Sequence, residues 1–170
     1  MRTIFLPGFS VSNKEWAEEV KVEIGDKTGI EIHQWPHWQT GEAKPGWIDG
    51  QVDKILEDIG NQKVNILAKS IGTLVAVRML NKNTEIADKV LLCGVPLAAF
   101  QEGDEASYDI LGRLPAEKVL VIQNENDNVG SFEKVKRMFE KINPKIRVIA
   151  RIRDDHHYPY SSDFGQFLTN

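Results

Sequence analysis

The chain has 170 residues, 41% of them hydrophobic and 27% charged, which suits a single globular domain built on one sizeable core. Its formal net charge of −4 and its pI near 5.6 argue against a nucleic-acid-binding surface. No apolar run approaches the ~18 residues of a membrane span, and the apolar stretch within Met1 to Gly8 is too short for a signal peptide, so a cytoplasmic protein with no membrane span is expected.

Apolar runs alternate with amphipathic stretches from end to end. Arg2 to Leu6 reads as a strand, and Trp16 to Ile24 as a helix with Ser12 or Asn13 as its N-cap. Gly29 to His33 is a second strand. Over Trp47 to Ile59, apolar residues at Ile48, Val52, Ile55, Leu56 and Ile59 repeat at helical spacing, and Gly60-Asn61 stops the run. Val64 to Leu67 is a strand and Gly72 to Leu80 a helix. Lys89 to Cys93 and Lys118 to Gln123 are strands. Ser131 to Ile142 is a helix with Ser131 as N-cap and Asn143-Pro144 as its stop. Ile146 to Ile152 is the last strand and Asp163 to Leu168 a terminal helix. Short, almost wholly apolar strands alternating with helices predict an α/β fold: a doubly wound, mostly parallel sheet with helices on both faces. Two segments stand apart as rim or lid loops, the Trp-, His- and Pro-rich stretch from Gln34 to Gly46 and the stretch from Leu97 to Leu114. Cys93 is the only cysteine and sits in the apolar run Val90 to Cys93, so a buried, inert thiol is expected and an intrachain disulfide is impossible.

The most informative stretch is Ala68-Lys69-Ser70-Ile71-Gly72, between an apolar strand and a helix. Strand, small-x-Ser-x-small, helix is the layout of a nucleophile elbow. The turn is so sharp that side chains at 68 and 72 would collide with backbone. It leaves the Ser70 hydroxyl exposed at the strand's end, at a helix N-terminus whose free N–H groups stabilise an anion. In a doubly wound sheet, ligands bind beyond the carboxyl ends of the strands. Those ends carry Pro7-Gly8-Phe9 after the first strand, Ser70 after Val64 to Leu67, Asp127 in the loop after Lys118 to Gln123, and His156-His157 after the last strand.

The chain order Ser, Asp, His, at strand ends, resembles the α/β-hydrolase fold, and the resemblance spans nearly the whole chain. Leu6-Pro7-Gly8-Phe9 is similar to the family's oxyanion loop, with Pro7 where that family has His. Ala68 stands where its elbow has a first Gly, and Asn124 where its acid-bearing loop has one. The resemblance implies a minimal fold lacking the family's first two strands and its cap domain, similar to the small, lidless serine hydrolases. It implies Ser70 as nucleophile, His156 as base and Asp127 as the acid that orients it, with the Phe9 and Ile71 backbone N–H groups as the oxyanion hole. It implies a small-molecule acyl substrate (an ester, thioester or activated amide) and neither cofactor nor metal.

Each of these residues also has a plainer reading. Ser70 is equally placed to cap a helix, Asp127 to shape a polar turn, and Pro7-Gly8 to form an ordinary one. His157 is the alternative base, because adjacent histidines on a simple loop cannot both face Ser70. Asp154 and Asp155 read as solvated loop acids, and Glu125 as pointing away. His33 and His37 do not form a helical metal pair, because Pro36 lies between them. Trp35, Trp38 and Trp47 read as rim and core packing. A binding or regulatory protein on the same scaffold is the competing functional class. A nucleotide-binding domain is disfavoured, since neither glycine-rich phosphate motif occurs.

Overall fold

The computed structural model describes residues 1–25 and 28–170. Six strands form one sheet in the order β2-β1-β3-β4-β5-β6, and every neighbouring pair is parallel, so the expected mostly parallel sheet is wholly so among the described residues. The strands are β1 (Thr3–Leu6), β2 (Ile30–Ile32), β3 (Val64–Lys69), β4 (Ala87–Cys93), β5 (Val119–Asn124) and β6 (Arg147–Arg151). The helices are α1 (Ser12–Ile24), the single turn α2 (His37–Thr40), α3 (Trp47–Ile59), α4 (Ile71–Lys82), α5 (Phe132–Ile142) and α6 (Ser161–Thr169).

Two cores follow from the alternation of side chains along each strand. One face of the sheet offers Leu6, Ile66, Ala68, Leu92 and Val121 to α3, α4 and α5. The other offers Phe5, Leu67, Leu91, Cys93 and Ile122 to Trp16 and Val20 of α1 and Phe164 of α6. Of the inner strands, β1, β3 and β5 are buried at every residue, which explains their largely apolar sequences, and β4 is half-buried over its first three residues. The edge strand β6 alone carries Arg147 and Arg151 at its ends, where one side of the ladder is open.

Two expectations are corrected, and a third is met in position only. Helix α1 begins at Ser12 behind Val11, so neither Ser12 nor Asn13 is its N-cap; Asn13 lies inside the first turn and donates through Nδ2 to the Ser10 carbonyl at 2.9 Å. Ser131 does hold the N-cap position of α5, in extended backbone, but its hydroxyl makes no capping bond. Leu97 to Leu114 is not simply a rim loop. Glu105–Arg113 winds into 3₁₀ turns that bury Tyr108, Ile110 and Leu111, and the Tyr108 hydroxyl meets Thr73 Oγ1 at 2.5 Å. Tyr108 and Leu111, one 3₁₀ turn apart, lay hidden among the glycines and acids of that segment.

Candidate active site

Ser70 follows β3 and opens α4, and it is the only non-glycine described residue with positive φ, at 54° with ψ −126°. Such backbone costs about 1–3 kcal/mol and persists only where its surroundings over-determine it. Here they do. The Ser70 N–H donates to the Cys93 carbonyl at 3.0 Å, and its own carbonyl accepts from the Thr73 N–H at 2.8 Å and Thr73 Oγ1 at 2.7 Å. A side chain at Gly72 would overlap the Leu6 and Pro7 carbonyls at the end of β1. The small residue at 72 is therefore a requirement of the turn, as the sequence predicts.

Asp127 is buried in the loop after β5. Its Oδ1 accepts from the Val129 N–H at 2.8 Å, and its Oδ2 accepts from His156 Nδ1 and from the Tyr158 hydroxyl, each at 2.6 Å. Burial pushes the Asp127 carboxyl pKa up, but the bonds from His156, Tyr158 and Val129 outweigh it and hold the group below its ordinary value. An ionised carboxylate only accepts, so Nδ1 of His156 carries the proton and Nε2 of the neutral ring is left with its lone pair. That Nε2 is buried and has no hydrogen-bond partner. The imidazole lies over the end of β4, the strand between β3 and β5: a Cβ at Gly94 would stand 3.0 Å from His156 Cε1. No direct hydrogen bond joins Nε2 to Ser70 Oγ; such bonds are often long in ligand-free sites and tighten when substrate binds.

The two histidines separate cleanly. Asn124 Nδ2 donates to the carbonyls of both Asp155 and His157 at 2.8 Å, the two residues that flank His156. This pins the loop with His156 turned inward and His157 exposed. Glu125 is exposed, as expected, and so is Asp154. Asp155 is paired with Arg153, which holds its carboxyl well below the usual range, at about 2. Cys93 is fully buried, and burial pushes its thiol up to about 12, which leaves it inert.

Phe9 and Ile71 line one cavity of about 540 Å³, together with Trp47, Ile48 and Leu74. Neither backbone N–H has an acceptor among the described residues, so both are free to meet an anion. Two contributors escaped the sequence reading. Tyr158 is fully buried and bridges Asp127 to β5, accepting from the Asn124 N–H at 3.2 Å. Lys69, inside the elbow, has its ammonium buried 5.0 Å from the Trp16 ring centroid; it donates to Asn13 Oδ1 at 2.7 Å, and burial pulls its pKa down. Lys69 signalled itself only as a charge ending a largely apolar run, and Tyr158, in a polar loop, gave no such signal. His33 and His37 are occupied elsewhere, His33 with Gln51 Oε1 at 2.9 Å and His37 with the Phe9 carbonyl at 2.8 Å.

No protein-family model matches the sequence, and no curated protein matches it. Solved structures match it in fold. A 2-hydroxy-6-oxo-6-phenylhexa-2,4-dienoate hydrolase from Rhodococcus sp. strain RHA1 is 14% identical, with a TM-score of 0.69 over 98% of this chain and 88% of its own. XC6422 from Xanthomonas campestris, described as a serine hydrolase without lid, is 14% identical at a TM-score of 0.66, over 98% of this chain and 78% of its own. A monoacylglycerol lipase from Paleococcus ferrophilus is 14% identical at a TM-score of 0.60, over 98% and 91%. The chain has the α/β-hydrolase fold.

Proposed function

We propose that this chain is a serine hydrolase that cleaves a small ester, thioester or activated amide through an acyl-enzyme on Ser70. The observation that carries the reading is the strained backbone at Ser70 together with a half-buried His156, bonded to buried Asp127, whose Nε2 has no partner. Strain at a lone polar residue is stored where geometry serves chemistry.

In this reading Ser70 Oγ attacks the substrate carbonyl carbon as His156 Nε2 takes its proton. Asp127 holds the ring in the tautomer that makes this transfer possible and stabilises the imidazolium that results. The carbonyl oxygen, now negative, accepts from the Phe9 and Ile71 N–H groups. The imidazolium then returns the proton to the leaving group, and water repeats the sequence to release the acid and restore Ser70. The cavity beside Phe9 and Ile71 pairs apolar Trp47, Ile48 and Leu74 with polar Lys44, Arg78, Gln101 and Asp104, which suits a small acyl substrate that also carries polar groups. The fold-level neighbours, among them a monoacylglycerol lipase and a lidless serine hydrolase, support the same class of reaction.

The test is treatment with a fluorophosphonate probe and location of the adduct by mass spectrometry. Phosphonylation of Ser70, lost in Ser70→Ala, is the expected result. A wild-type chain that stays unlabelled while a control serine hydrolase reacts would overturn the reading and leave a binding protein on this scaffold.

A further inference from the structure

The Trp-, His- and Pro-rich segment after β2 makes contacts that packing alone does not explain. Trp35 is buried, and its Nε1–H is shared between the carbonyls of Pro7 at 3.2 Å and Gly8 at 3.1 Å. The next carbonyl, that of Phe9, accepts from Trp38 Nε1 and from His37 Nε2, both at 2.8 Å. Three ring nitrogens from four consecutive residues thus hold three consecutive carbonyls. His37 also stacks on the Phe9 ring, with centroids 4.3 Å apart.

The consequence lies in the peptide between Gly8 and Phe9. In a trans peptide the C=O and N–H point in opposite directions. Because the Gly8 carbonyl is drawn to Trp35, the Phe9 N–H points away from it. Trp35 follows β2, and in the order β2-β1-β3 the strand on the other side of β1 is the one that delivers Ser70. Glycine tolerates both senses of such a peptide, so Gly8 leaves the choice open. The flipped form would turn the N–H towards Trp35 and aim a carbonyl at the developing oxyanion, which repels it.

We infer that Trp35, His37 and Trp38 are positioning residues, which lock the peptides on either side of Phe9 so that its N–H faces the substrate oxyanion. This rests on the hydrolase reading for its catalytic meaning. The clamp acts on the transition state, because the oxyanion forms only there, so its loss is read in kcat and leaves KM nearly unchanged.

The experiment compares wild type with Trp35→Phe and with the double variant His37→Phe/Trp38→Phe, which keep ring packing and remove the donors. Circular dichroism establishes that each is folded. With a p-nitrophenyl ester, Trp35→Phe is expected to lose about 100-fold in kcat, the scale of a lost oxyanion donor, with KM within about twofold. The double variant is expected to lose about tenfold, and it decides the matter should Trp35→Phe fail to fold. Fluorophosphonate labelling of Ser70 is expected to slow in parallel. Independently of turnover, ¹⁵N spectra of Trp35→Phe are expected to show exchange broadening at Gly8 and Phe9. Sharp, unshifted Gly8 and Phe9 amides, or unchanged kcat in folded variants, would overturn the inference while wild-type labelling of Ser70 leaves the hydrolase reading intact. An unlabelled wild type would overturn that reading instead, and the amide signals still decide the clamp.

Discussion

The residues proposed for acid–base chemistry and those proposed for the oxyanion hole are held in different ways. Asp127 and His156 are fixed by a dense polar network: Tyr158 and Val129 on the carboxylate, and Asn124 on both carbonyls flanking the imidazole. Each of these bonds involves a group with a formal charge or a buried amide, where a lost partner leaves an unsatisfied group. Among the described residues, the Pro7 to Phe9 segment after β1 has no such network. Its carbonyls are held by ring N–H donors from outside, and its N–H groups stay unpaired. The difference fits what each side does. A proton-transfer pair needs its donors and acceptors satisfied in one tautomer, while an anion hole needs its donors left free and merely aimed.

Breaking the acid–base side is expected to have the largest effect. His156→Ala should slow labelling of Ser70 by about 10⁴-fold or more, while His157→Ala, at an exposed position, stays within about twofold. Asp127→Asn should cost about 10⁴-fold in kcat because it spoils the tautomer. The same variant tests the electrostatics. The folded-state pKa of Asp127 lies below its ordinary 3.8, so its contribution to stability is complete above that value and disappears as pH falls through the depressed one. Unfolding midpoints recorded from about pH 5 to about pH 2 should therefore fall less steeply for Asp127→Asn than for wild type.

Smaller changes sharpen the contrast. Tyr158→Phe removes one donor from Asp127 and leaves the buried Asn124 N–H without its acceptor. Denaturant unfolding should register a loss of about 1–3 kcal/mol, with kcat reduced by about tenfold at most. At the low end, Arg153→Ala breaks a solvent-exposed pair with Asp155, and its melting temperature should match wild type within error.

How far the sequence discloses this site depends on how local each determinant is. The elbow was legible because its pattern lies within five residues, although the collision that forbids a side chain at Gly72 is with the distant Leu6 and Pro7 carbonyls. Strand ends were legible because β1, β3 and β5 are buried at every residue and read as largely apolar runs. His156 could be preferred over His157 only by resemblance, since what separates them is Asn124, more than 30 residues away. That asparagine looked like a departure from a glycine position; in the fold it organises the histidine loop. The clamp on Pro7 to Phe9 was invisible for the same reason, because it joins residues 27 to 29 apart. Tyr108, Ile110 and Leu111 were missed because short 3₁₀ turns produce neither of the periodic patterns that mark helices and strands.

The most direct test of the account is a crystal structure of the fluorophosphonate-treated protein. The account predicts phosphorus bonded to Ser70 Oγ, the phosphonyl oxygen about 3 Å from both the Phe9 and Ile71 nitrogens, and His156 still bonded to Asp127. An adduct on any other residue, or a phosphonyl oxygen turned away from those two N–H groups, would contradict it.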